Sequence, residues 1–492
     1  MKTRKTSIQL LAALLLTGAA FTSCSNDDNL IESTTKPVET AGKYILTVEA
    51  TKGFDASTTR ALGLDGTKLL ATWSEDDKIE VFVYDNSSGT DKVLGTLTAT
   101  PDAGDAHYCT FSGPLDTAPA VGDELRLRFN DSYYGNQDGT LAGIAATCDY
   151  AEASVTVETV DETAKTITAT QAIFVNKQAI FKFTLKSPTG GPISATALKV
   201  ANDKYYVNVT PQSATDELYV AIPSLGRSKL TLMAYDGTTY YKYTNSDKWL
   251  VNGKYYTATV LMAAVEAPSE AEAVDLGLPS GTKWANMNVG AASETDYGTY
   301  FAWGEVMGYT SRDDCDAAYA NYSWGPYDKN LTKYCNDGNY GRNGFTDTKT
   351  VLDAMDDAAI ANWGGSWHMP TKAQISELFD TKSNFTDYSW TWCDGETTQF
   401  DESTVKGWKI EVLKDCAAKG NTLFLPAAGF PIPFSSSISS YRYYWSTDLS
   451  SFNPREAWCL EFSTDSYSGY AHMSSTTRSY SQSVRAVQSV IE

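Results

Sequence analysis

Between residues 44 and 262 the chain alternates apolar and polar positions over short runs. "KYILTVEA" (43–50), "KIEVFVYD" (78–85), "ELRLRFN" (124–130), "SVTVETV" (154–160), "KTITAT" (165–170), "AIFKFTL" (179–185), "ELYVAI" (217–222) and "KLTLMAY" (229–235) each read as a strand. Gly, Asp, Asn and Pro separate them, and three-four helical periodicity is nearly missing. Many short strands with close turns predict β-sandwiches, and roughly 220 residues exceed one ordinary sandwich. The expected division lies near residue 155, giving units 44–155 and 156–262. Residues 263–273, "AAVEAPSEAEA", are small, acidic and strand-poor, as expected of a linker. From 274 to 492 the composition changes. Ten of the 12 tryptophans lie there, which marks a separate unit with different packing.

The clearest helix signal sits inside "WGGSWHMPTKAQISELF" (363–379). Thr371 and Gln374 form a T-x-x-Q capping box. Pro370 keeps the preceding residue out of helix. Ile375, Leu378 and Phe379 then fall on one face. Trp363, Trp367, Pro370 and Thr371 therefore read as fold-determining residues. His368 has no H-E-x-x-H or H-x-H context and reads as structural.

The N-terminus does not belong to this pattern. Lys2, Arg4 and Lys5 precede the apolar run "IQLLAALLLTGAA" (8–20), and "FTSC" (21–24) follows. Residues 1–23 read as a secretory signal, too short to span a bilayer. Cys24 at the cleavage point resembles a bacterial lipobox, which implies acylation of that cysteine. Residues 24–43 read as a polar tether, and "SNDDN" after Cys24 resembles the export signal of surface-exposed Bacteroidales lipoproteins. The net charge of −21 falls to −24 when Lys2, Arg4 and Lys5 leave with the signal. With no basic patch, nucleic acid is not an expected partner.

Two resemblances extend this reading. "STTRAL" (57–62), "LLATWSEDDKIEVFVYD" (69–85), "NKQAIFKFTL" (176–185) and "LVNGKYYTATVLM" (250–262) resemble the fimbrillin family of surface lipoproteins and pilus subunits. The resemblance implies β-sandwich modules, and a cleavage at Arg60 that would permit strand exchange between subunits. By itself Arg60 reads first as an arginine in an exposed loop. "VDLGLPSGTKWANMNVGA" (274–291), "DYGTYFAWGE" (296–305), "DDAAIANWGGSWHMPTKAQISELF" (356–379), "FLPAAGF" (424–430), "YYWSTDLS" (443–450) and "SVRAV" (483–487) resemble, in order, the Fibrobacter succinogenes major paralogous domain. That family is similar, more distantly, to the formylglycine-generating-enzyme branch of the C-type-lectin-like fold. The implied fold class is all-β sandwiches followed by an α+β C-type-lectin-like domain. The family commonly has Arg where this chain has His368.

The chemistry of that enzyme branch does not carry over. It needs closely spaced cysteine thiolates, and here Cys459 stands 43 residues after Cys416. Eight cysteines leave seven once Cys24 is acylated, so at least one is expected to be unpaired. Asp353, Asp356 and Asp357, like Asp313, Asp314 and Asp316, read as helix caps or solvated carboxylates rather than a calcium site. No catalytic residue, metal or cofactor is expected. "SSSISSYRYYWSTDLSS" (435–451) and "STDSYSGYAHMSSTTRSYSQ" (463–482) mix Tyr, Ser and Arg as recognition surfaces do. Tyr441, Arg442, Tyr443, Tyr444, Trp445, Tyr467 and Tyr470 are the candidate ligand surface. The alternative is a run of strand tyrosines with no ligand. The expectation is a non-enzymatic lipoprotein of the outer membrane and cell surface, anchored in the membrane at Cys24. It would bind a glycan or protein, or assemble with other fimbrial subunits. An exported enzyme is the remaining class.

Overall fold

The computed structural model describes residues 43–489 apart from 53–62, 66–67, 71, 86–89, 131–133, 203–204, 224–225, 311–314, 316–318, 327–328, 394–404, 429–440 and 464–470. Lys43–Glu492 form one compact unit. Among the described residues strands dominate, in seven sheets with few helices. No helix there is long and apolar enough to cross a membrane.

The first sheet has eight strands and closes on itself. Strand Tyr44–Lys52 is the closing piece. It runs antiparallel to Tyr108–Leu115 on one side and parallel to Thr166–Ala169 and Ala172–Asn176 on the other. Its alternation turns Leu46, Val48 and Ala50 inward. They meet a core centred on Trp73, whose ring is edge-on to Phe111, Phe129 and Phe174 at 4.9, 5.1 and 5.2 Å. Strand Ala151–Asp161 belongs to this barrel, so position 155 lies inside it. The change to the next pair of sheets comes between Asn176 and Ala179.

The middle sheets have three strands (Ala179–Lys186 between Glu217–Ile222 and Tyr255–Leu261) and six strands. The outermost member of the six-stranded sheet, Asn136–Gln137, comes from the barrel's own sequence and pairs parallel with Asn208 and Val209. Helix Leu141–Thr147 follows, capped by Thr140, whose Oγ1 accepts from Gly143 N at 2.9 Å. Tyr134, Ile144 and Cys148 of this excursion sit in the middle core. The barrel is thus threaded into its neighbour before its last strands are laid down.

The C-terminal region is built from three small sheets and the helices Ala358–Trp363 and Lys372–Asp380. Its first strands, Ala273–Asp275 and Lys283–Ala285, share a sheet with its last, Val487–Gln488. The preceding stretch 263–273 is held along its length. Ala263–Ala264 pair with Tyr241 and Lys242, Val265 N donates to Tyr240 O, and Ala267, Ala271 and Ala273 pack on the C-terminal core.

Two arginines are fully buried in this region. Arg478 donates to Tyr322 Oη, Tyr334 O, Pro454 O and Lys333 O at 2.8–3.0 Å, with its guanidinium over the Trp303 ring. Arg485, in the "SVRAV" stretch, donates to Asn288 Oδ1, Ala285 O and Phe424 O at 2.8–2.9 Å. Each acts as a hub that satisfies acceptors from segments far apart in sequence.

Candidate functional site: the seam between the middle sheets and the C-terminal region

Strand Ala197–Ala201 is buried almost throughout, yet its centre is a lysine. Lys199 is 1% exposed. Its Nζ donates to Asn208 Oδ1 at 2.8 Å and to Asp356 Oδ1 at 2.6 Å. Asp356 ends the short 3-10 turn Ala354–Asp356 of the C-terminal region and is 0% exposed. Its other oxygen accepts from Lys333 Nζ at 2.5 Å and Tyr334 Oη at 2.7 Å. Lys333 also reaches Asp353 at 2.6 Å, and Lys349 binds both Asp353 oxygens at 2.7 and 2.8 Å. Trp324 packs among these cations, with Lys199 and Lys333 5.0 and 5.2 Å from its ring centroid. Burial alone would raise the pKa of Asp356; Lys199 and Lys333 overcome that and hold it below the usual carboxylate value.

The rest of the seam is apolar or hydrogen-bonded. Tyr206, Met233 and Tyr240 from the middle sheets pack with Val306 and Ala361. Tyr206 Oη accepts from Val306 N, and Tyr240 Oη donates to Met355 O. Glu305 is buried beside this cluster. It accepts from Ser323 N at 2.9 Å and Tyr309 Oη at 2.6 Å, and burial raises its pKa. A carboxyl whose folded pKa lies above its unfolded one stabilises the fold below the unfolded value. That contribution is lost as pH rises through the folded value. Glu305→Gln is therefore expected to gain stability relative to the native chain between pH 5 and pH 9. Melting temperatures across that range test this; an unchanged pH slope would count against it.

Next to the ion cluster lies a cleft of about 580 Å³. Asn136, Asp138 and Thr210 form one wall, from the excursion and the middle sheets. Trp324, Lys333, Lys349, Asp353 and Met355 form the other.

The residues singled out from sequence fall in three groups. Trp363 and Trp367 are core, edge-on to each other at 5.2 Å. Pro370 is buried, and the capping box at Thr371 and Gln374 is formed. Gly364 between the tryptophans has φ of 60°, and a Cβ there would lie 2.5 Å from Val265 O. Gly364→Ala is expected to cost about 1–3 kcal/mol through backbone strain and displacement of the 263–273 stretch. Denaturant unfolding measures this, and a loss below about 0.5 kcal/mol would contradict the close approach. His368 bridges Met369 O and Ser489 Oγ at 2.9 Å each. Asp357 caps helix Ala358–Trp363, whereas Asp356 and Asp353 pair with lysines instead of capping.

The tyrosine stripe is placed differently from a ligand surface where its side chains are described. Tyr444 is 2% exposed and Trp445 0%. Strand Tyr441–Leu449 is the middle strand of its sheet and is covered on both faces, so successive residues enter opposite cores. Tyr444 Oη donates to Pro426 O and Trp445 Nε1 to Phe301 O. Tyr443 is half-buried against the Trp303 core. Tyr441 and Arg442 lie in the same strand by their backbones. Cys24, Arg60, Tyr467, Tyr470, Asp313, Asp314 and Asp316 lie outside the described residues. Among the described residues no disulfide joins the seven cysteines, and no His, Cys, Asp and Glu cluster there could hold a metal.

Sequence reasoning missed Lys199, Lys333 and the two buried arginines. The available signal was a charged residue inside a short apolar run, as in "ALKVA" (197–201) and "SVRAV" (483–487).

No protein-family model matches the chain, and no curated protein does. Among solved structures, the chain is similar to a candidate cell adhesion protein of Bacteroides ovatus. Identity is 11% over 46% of this chain and 96% of that one, with a TM-score of 0.26. A candidate cell adhesion protein of Bacteroides uniformis matches at 14% identity over 45% and 97%, TM-score 0.24. The shaft pilin SpaA of Lactobacillus rhamnosus GG matches at 11% over 46% and 99%, TM-score 0.21. Likeness at this level carries no argument about function.

Proposed function

We propose that this chain is an exported, lipid-anchored surface protein that binds a glycan or protein ligand without catalysing a reaction. Cys24 is its anchor, residues 24–43 its tether, and the two β units hold out a C-terminal region of C-type-lectin-like type. The observation that carries the reading is the buried ion cluster across the seam. It joins the ligand-presenting region firmly to its support, as a protein that bears load on binding requires. Long loops on a rigid base are where recognition residues collect.

A structural fimbrial subunit is the second reading, favoured by the closing strand Tyr44–Lys52. Cleavage at Arg60 would free that strand and leave the edges of Tyr108–Leu115 and Ala172–Asn176 unpaired, ready for a strand from another copy.

The test is a screen of the full-length protein, in detergent, against glycans and surface proteins, with and without cleavage by an arginine-specific protease. Saturable binding by the uncut chain supports the first reading. Sodium-dodecyl-sulfate-resistant ladders after cleavage, without ligand binding, support the second.

A further inference from the structure

The cleft at the seam has features that the binding-protein reading does not by itself supply. It is concave, within the size range of small-ligand sites, and both halves of its wall are needed to make it. Its electrostatics are balanced. Lys199, Lys333 and Lys349 in and behind the wall are matched in number by Asp138, Asp353 and Asp356. A net charge on a ligand would gain little there.

Hydrogen-bonding capacity is nonetheless left over. An ammonium has three N–H groups. Lys333 spends two, on Asp353 and Asp356. Lys349 spends two, on the two oxygens of Asp353. Each keeps one, on a nitrogen already fixed by carboxylates. Such donors lose little freedom when a ligand arrives. Asp138 accepts from Thr140 N and Oγ1 through Oδ1 and adds its second carboxylate oxygen to the lining, and Trp324 and Met355 supply the apolar part. Fixed donors, an acceptor across from them, an apolar stretch and no net charge together suit a ligand whose groups both donate and accept on an otherwise C–H framework.

We propose that this cleft binds a neutral saccharide of one or two rings. Ring hydroxyls would accept from Lys333 and Lys349 and donate to Asp138, while a C–H face packs against Trp324 and Met355. The proposal rests on the binding-protein reading and adds the ligand class and its place.

Saturation-transfer NMR on the full-length protein tests it, in a detergent without a sugar headgroup. The probes are glucose, galactose, mannose, N-acetylglucosamine, lactose and cellobiose, with glucuronate and sialic acid as acidic comparisons. At least one neutral sugar is expected to give a saturable signal. Thr210→Trp, which fills the cleft from the middle-sheet wall, is expected to weaken it at least tenfold. Lys349→Met, at a half-exposed side chain, is expected to weaken it several-fold and serves if the first variant does not fold. Binding unchanged in both folded variants would overturn the cleft while leaving the binding-protein reading in place. Binding of acidic sugars alone, or of none of these sugars by the folded chain, would overturn the ligand class.

Discussion

Asp356→Ala is expected to destabilise the unit by about 3–5 kcal/mol, the cost of breaking a buried ion pair from one side. The carboxylate is the node of the seam. It accepts from Lys199, Lys333 and Tyr334, and its removal leaves the buried Lys199 ammonium with Asn208 as its one remaining partner in the cluster. The reverse change is milder. Lys199→Met removes one of three donors, and Lys333 and Tyr334 still satisfy Asp356. About 1–3 kcal/mol is expected, the range for one buried hydrogen-bonding partner. Lys199→Met combined with Asp356→Leu should cost less than the sum of the separate changes, because neither leaves a charge facing an empty site. Urea unfolding followed by tryptophan fluorescence measures all three. Equal losses for the two single changes would mean that Asp356 is not the node.

Arg478→Met is expected to cost about 4 kcal/mol or more, since three carbonyls and a tyrosine hydroxyl lose a donor, at roughly 1–3 kcal/mol for each buried group left unmade. The diagnostic variant is Arg478→Lys. A single ammonium keeps the charge but cannot reproduce the planar fork that reaches segments near 322, 333–334 and 454 together. It should recover less than half of the loss. Thermal unfolding, with near-ultraviolet circular dichroism to follow the aromatic core around Trp303, reports both. A lysine variant melting within about 2 °C of the native chain would show that charge, not geometry, holds this hub.

Both expectations concern residues that local pattern does not advertise. The alternation in "KIEVFVYD" and "AIFKFTL" reads directly as strands because each side chain's face follows from its parity in the chain. The box at Thr371 and Gln374 is legible because both partners lie within one helical turn. The tyrosine stripe shows where such reading stops. "YRYYWS" has the composition of a recognition surface, and such a surface needs an exposed face. A middle strand covered on both sides has none, so Tyr444 and Trp445 are core. Arg478, in "STTRSY" (475–480), looks in sequence like any exposed arginine.

The sequence by itself determined the local vocabulary: short alternating strands up to 262, a tryptophan-rich region after 274, and the capped helix at 372. The tertiary structure alone decided which charges are buried and what answers them. Lys199 meets Asp356 across 157 positions. A strand's face is set by its own neighbours in sequence. A buried charge is tolerable only with a partner in space, and that partner exists only once the middle sheets and the C-terminal region have closed on each other.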